Sequence, residues 1–218
     1  MSSAAIHGAP QTATANSAAG TIESKGVPTS ASAADAASQP AQLTGGVRRI
    51  VLTGFMGAGK SAVGRRLAAQ LGWAFLDLDA FIEQRTGLSV PRIFAEQGEP
   101  AFRHIESVAL AVALGRHDVV IALGGGTPEQ ITNRLLLEQT PQTLTAYLHA
   151  PLELLIERCL QQNGGADRPI LAMQDALASR FESRLPHYRR LASITIDTAC
   201  LTIEETALQL CEKLQPGI

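Results

Sequence analysis

No apolar run in this 218-residue chain approaches the roughly 18 residues needed to cross a bilayer, so no membrane span is expected. Cysteines are few and odd in number: Cys159, Cys200 and Cys211, with no CxxC and no Cys/His ligand spacing. They are expected to be free thiols in a reducing, cytoplasmic compartment, acting as small buried apolar residues rather than as a disulfide or metal framework. Net charge is also nearly absent. At -2 formally and a pI of about 6.2, no general attraction to nucleic acid or to an anionic membrane is implied, and any anion must be bound locally.

Residues 1–46 have almost no large apolar side chains and contain no arginine. Stretches such as "TATANSAAGT" bury too little to offset their ordering entropy, so this extension is expected to be disordered. The missing arginine argues against a transit peptide, and no continuous apolar core of a secretory signal is found. A solubilising extension, or one arising from an upstream start codon, is expected rather than a functional arm.

From Arg48 onward strands and helices alternate. "RRIVLTG" is a β-branched run, and "SAVGRRLAAQLG" repeats its apolar positions with helical spacing before a glycine stop. "WAFLD", "DVVIALGGG", "TLTAYLH" and "ASITID" read as further strands. "AFIEQRTG", "EPAFRHIESVALAVALG", a stretch from Pro151 to about Gln161, one ending near Arg190, and "IEETALQLCEKL" read as helices. Nearly continuous apolar strands alternating with helices predict α/β architecture: a five-stranded parallel sheet covered on both faces, in three layers. Length and composition fit one domain, expected over residues 47–216. Ligands in such sheets bind beyond the carboxyl ends of the strands.

"GFMGAGKS", Gly54 to Ser61, fits G-x-x-x-x-G-K-[ST] between a strand and a helix. Its backbone amides and the helix N-terminus suit the phosphates of a nucleoside triphosphate. Lys60 would lie between the β- and γ-phosphates, with the Ser61 hydroxyl on Mg²⁺. "FLDLD" ends an apolar strand in Asp77 and Asp79, which project together if the strand persists. Two such charges call for a cation or a donor between them. Asp79 is equally suited to cap the helix "AFIEQRTG", and the pair alone does not separate the two readings. The triplet Gly124 to Gly126 fits either a tight turn or the close approach of backbone to a ligand. Arg103 and Arg184, taken singly, read as solvated side chains. Arg168, in the glycine-bearing "NGGADRPI", suits a mobile lid, expected at about 161–170, that brings a charge onto a transferring phosphoryl group.

Taken in order, "GFMGAGKS", "DLDAFIEQRTG", "FRHIE", "LGGG", the lid "RP" and "SRLPHYRR" resemble the shikimate kinase family of P-loop kinases, over about Arg48 to Leu214. The resemblance implies transfer of the γ-phosphoryl of ATP to the 3-hydroxyl of shikimate by a cytoplasmic, Mg²⁺-dependent enzyme, expected to be monomeric. It implies ATP contacts at Gly57, Ala58, Gly59, Lys60, Ser61, Ala62 and Arg168. Asp79, Arg103, Gly125 and Arg184 would hold shikimate, with the arginines on its carboxylate. Ser61 and Asp77 would serve the metal, and Lys60, Asp79 and Arg168 the catalysis. Three departures are visible: Ala62 replaces a usual threonine, the segment between Arg158 and Arg168 is longer, and "TACL" follows the last strand where some relatives carry an arginine near the adenine. A gluconate kinase or a catalytically inactive nucleotide-binding relative are the alternatives. No N-K-x-D motif supports a GTPase.

Overall fold

Each apolar run becomes a strand in the computed structural model, which describes residues 46–162 and 174–214. The expected disorder of residues 1–45 and most of the expected lid, Arg168 included, fall outside the described residues. The strands are β1 (Arg49–Thr53), β2 (Ala74–Asp77), β3 (Val119–Ala122), β4 (Thr143–His149) and β5 (Ile194–Asp197). They form one parallel sheet in the order β2-β3-β1-β4-β5. The most uniformly apolar runs take the centre: every residue of β1 and β3 is buried, whereas β2 and β5 form the partly exposed edges. A strand covered on both faces needs apolar side chains in both directions, and only those runs supply them.

Seven helices and one short 3₁₀ turn (Thr127–Glu129) complete the described fold. The helices are α1 (Lys60–Leu71), α2 (Leu78–Thr86), α3 (Val90–Leu114), α4 (Ile131–Gln139), α5 (Leu152–Gln162), α6 (Gln174–Leu191) and α7 (Ile203–Leu214). Side chains alternate across the strands and so feed two cores. Ile50 and Leu52 pack with Val63 and Leu67 of α1, Leu155 of α5 and Leu210 of α7. Val51 and Ile121 point the other way, into Ile82 of α2, Phe102 and Leu110 of α3, and Leu137 of α4. The three expected layers result. Leu67 is fully buried between α1 and the sheet, and truncating it to alanine would cost about 2–5 kcal/mol.

Three local differences from the sequence reading bear on the site. Strand β2 ends at Asp77, so Leu78 already belongs to α2, and the cap is Asp77 rather than Asp79. Its Oδ1 accepts from the amides of Asp79 and Ala80, at 3.2 and 3.3 Å. Helix α3 begins at Val90, well before Glu99, and is interrupted at Gly98 just ahead of Pro100. Helix α4 has no counterpart in the sequence reading: Ile131 and Leu135 on it are exposed, so its apolar face is narrow. No helix among the described residues is long and apolar enough to cross a membrane.

Candidate active site

Strands β2, β3 and β1 are neighbours, so their carboxyl ends bring together Asp77, the loop after Ala122, and the loop after Thr53. The last of these is the glycine-rich cradle. Gly57 has φ 76°, and a Cβ there would stand 2.3 Å from the Leu155 carbonyl oxygen, so the loop requires glycine at this point. The α1 N-cap is Gly59, with no side chain to satisfy the first amides. The N–H groups of Lys60, Ser61 and Ala62 therefore remain free for an anion, reinforced by the helix dipole. Lys60 Nζ donates to the carbonyls of Gly54 and Phe55, each at 2.9 Å, which folds its ammonium over the cradle. Burial pushes this lysine down to about 8, against the opposing pull of Asp79 and Asp77.

The structure brings Ser61 and Asp77 into direct contact. The Ser61 hydroxyl donates to Asp77 Oδ2 at 2.5 Å, while Oδ1 caps α2. One carboxylate thus ties the start of α1 to the end of β2. The resulting pair of oxygens beside the cradle matches the hard-donor preference of Mg²⁺.

Asp79 stands one helical step further, in the first turn of α2. Its Oδ1 would be 2.9 Å from a Cβ on Gly124, and Glu106 Oε1 would be 3.0 Å from the same point, so the glycine triplet admits both carboxylates. Burial, with Asp77 and Glu106 close by, pushes Asp79 up to about 6; Lys60 alone among its main neighbours works the other way.

The two arginines converge across the triplet. Arg103, from α3, donates to Glu106 Oε2 at 2.9 Å and to Glu99 at 3.0 and 3.2 Å. Arg184, from α6, donates to Glu129 Oε2 at 3.0 Å, and the same oxygen lies 3.5 Å from Arg103. Neither is a solvated surface residue: their side chains are only 12% and 13% exposed. Arg184 Nε is buried with no hydrogen-bond partner. A Cβ on Gly126 would come within 2.6 Å of the Arg103 guanidinium, which explains the third glycine. Gly125 is held from behind by the Tyr188 hydroxyl, donating to its carbonyl at 2.5 Å, and its N–H is the group left to meet a ligand.

Four residues of this cluster carried no assigned role in the sequence: Glu106, Thr127, Glu129 and Tyr188. Glu106 is 1% exposed, paired with Arg103 and accepting from Thr127 Oγ1 at 2.6 Å. Its signal was its position three residues after Arg103, which places both on one helix face. Glu129 had no such signal, since it sits in a single 3₁₀ turn.

Two cavities flank the cluster. One of about 390 Å³ adjoins the cradle and is lined by Gly59, Ala62, Arg158, Thr198, Leu201 and Ile203. Arg158 there donates to Thr198 Oγ1 at 3.0 Å and to its carbonyl at 2.6 Å. The other, of about 790 Å³, opens beside Arg103, His104 and Ser107.

A phosphate cradle at one end of the cleft, and a carboxylate with two converging guanidiniums at the other, on a parallel 2-3-1-4-5 sheet, define an ATP-dependent P-loop kinase of a small anionic acceptor. The family model for shikimate kinase matches residues 56–215. The chain belongs to the shikimate kinase family. It is 40% identical over 171 residues to the shikimate kinase of Thermus thermophilus, covering 76% of this chain and 89% of that protein. It is 39% identical over 170 residues to that of Halorhodospira halophila, covering 77% and 93%. The solved structure of shikimate kinase from Acinetobacter baumannii in complex with shikimate superposes with a TM-score of 0.70 at 37% identity, covering 77% of this chain and 92% of that one.

Proposed function

We propose that the domain over residues 47–216, with a lid at about 161–170, transfers the γ-phosphoryl of ATP to the 3-hydroxyl of shikimate. The observation that carries this reading is the placement of the Asp79 carboxylate beside the glycine triplet, between the Lys60 cradle and the Arg103 and Arg184 guanidiniums. An acceptor that is at once a carboxylate and a polyol meets complementary chemistry at both ends. Arg103 and Arg184 grip its carboxylate through planar forks. The Gly125 N–H and Asp79 orient its hydroxyls.

Gly57, Ala58, Gly59, Ser61 and Ala62 hold the nucleotide phosphates through the backbone, and Lys60 turns from the loop carbonyls onto the β- and γ-phosphates. Mg²⁺ fits the Ser61 and Asp77 oxygens and would supply neutralising charge for the phosphates. The acceptor oxygen forms a bond to the γ-phosphorus as the bond to the β,γ-bridging oxygen breaks, and ADP leaves. The hydroxyl proton passes to Asp79. With a value of about 6, Asp79 is ionised at neutral pH yet basic enough to take that proton. Lys60 and Arg168, the latter assigned by family resemblance, stabilise the charge on the transferring group. The cavity beside Arg158 is assigned to the adenine. The enzyme is taken to act as a monomer, and the three unpaired cysteines support a cytoplasmic location.

An ADP-release assay with shikimate, with gluconate and with no acceptor tests the reading. Release with shikimate alone is expected. Release with gluconate only would overturn it.

A further inference from the structure

The carboxylate that joins Arg103 to Arg184 belongs to the protein itself. Glu129 Oε2 lies 3.0 Å from Arg184 Nη2 and 3.5 Å from Arg103 Nη2, bridging the two guanidiniums that the proposed function assigns to the acceptor's carboxylate. The arginines depend on it unequally. Arg103 is also anchored by Glu106, which is buried, and by Glu99. Among the described residues, Glu129 is the only carboxylate paired with Arg184, whose Nε has no partner. A buried guanidinium with unused donors is a place where a second carboxylate oxygen would be favourable.

Glu129 is also built to leave. Its side chain is 32% exposed, against 1% for Glu106. Its backbone is fixed independently: its N–H donates to the Gly126 carbonyl at 3.0 Å, and Arg134 Nη1 donates to the carbonyls of Pro128 and Glu129 at 2.6 and 2.8 Å. Exchange with a ligand therefore requires a side-chain rotation and no change in the chain path. Two acceptors of the same charge cannot share this point. With Glu106 already paired to Arg103, an added anion beside Glu129 would be repelled.

We propose that Glu129 is an internal carboxylate that occupies the acceptor's anion subsite in the empty enzyme, and that the acceptor's carboxylate must displace it. Glu129 thereby sets acceptor affinity and specificity. A carboxylate ligand replaces the ion pairs it breaks, whereas a neutral polyol would break them and return nothing. This rests on the proposed function for the identity of the acceptor, but the displacement can be read without turnover.

The test compares wild type with Glu129→Gln and Glu129→Ala, the first nearly isosteric and the second removing the group. Calorimetric titration with cyclohexanecarboxylate, a carboxylate with no hydroxyls, reads the subsite alone; steady-state kinetics reads KM for shikimate and for ATP. Two partly exposed ion pairs, each worth a fraction of a kcal/mol to about one, predict a fall of about 3- to 30-fold in the cyclohexanecarboxylate Kd in both variants. The KM for shikimate falls with it, in KM rather than in kcat, and the KM for ATP stays in place. A Kd that is unchanged or higher in both variants would overturn the proposal, since Glu129 would then be supporting the arginines rather than competing for them. A wild type that turns over no shikimate would instead defeat the functional reading, leaving the titration to decide on Glu129.

Discussion

Replacing Asp79 with asparagine should separate catalysis from stability in opposite directions. In the folded protein this carboxyl is pushed up to about 6 from an ordinary 3.8, by burial first and then by Asp77 and Glu106. The folded state therefore holds a proton between these values that the unfolded chain has released. Stability from this group is fully present below about 3.8 and is lost as the pH rises through about 6. Felt in full, the difference corresponds to about 3 kcal/mol at neutral pH, and screening by partial solvent access cuts it to about 1–2 kcal/mol. Asparagine has the same shape and carries no charge to bury. Asp79→Asn should accordingly raise Tm at pH 7 by about 2–8 °C, with the difference shrinking to a small fraction of this at pH 4. Turnover of the variant should fall by orders of magnitude with nucleotide binding intact. Calorimetric melting from pH 4 to 8, with ATP titration on the same samples, reads all three. A variant less stable than wild type at pH 7, or a difference that does not vary with pH, would refute the account of a charge held at a cost for function.

Asp77 does two things, and two substitutions divide them. Asp77→Ala removes the α2 cap and should cost about 1 kcal/mol in urea melts, whereas Asp77→Asn keeps an acceptor for the Asp79 and Ala80 amides and loses less. Both variants should need more Mg²⁺ for half-maximal activity. Tyr188→Phe deletes the donor to the Gly125 carbonyl, and a loss of about 1 kcal/mol with a raised acceptor KM is expected from melting and initial rates. Gly57→Ala would drive a methyl group into the Leu155 carbonyl and should abolish tight ATP binding, as measured by nucleotide titration.

The parallel sheet was legible because its central strands, β1 and β3, are short, rich in β-branched residues and almost wholly apolar, a pattern that few other settings tolerate. The cradle was legible because backbone wrapping imposes glycines at fixed intervals, which a sequence displays directly. The aspartate pair was only half legible. The pattern "FLDLD" suggests a strand running to Asp79, but the carboxylate of Asp77 offers the next amides a cap, and the chain turns helical at Leu78. Arg103 and Arg184 read singly as solvated because sequence separation hides their convergence, and it is tertiary packing of α3 and α6 against the glycine triplet that buries them. Helix α4 was missed because its apolar face is narrow, with Leu137 buried and Ile131 and Leu135 exposed. Glu129 was invisible for a different reason: a residue in one 3₁₀ turn has no periodicity, and its meaning lies wholly in the two arginines that reach it from other elements.

In the proposed function the cleft directs one hydroxyl of a carboxylated polyol at the γ-phosphate of ATP. Proton-coupled ³¹P NMR of the product formed from shikimate and ATP tests it most directly. A single new phosphomonoester coupled to the ring proton at carbon 3 is expected. Phosphorylation at another hydroxyl, or inorganic phosphate as the only new signal, would contradict it.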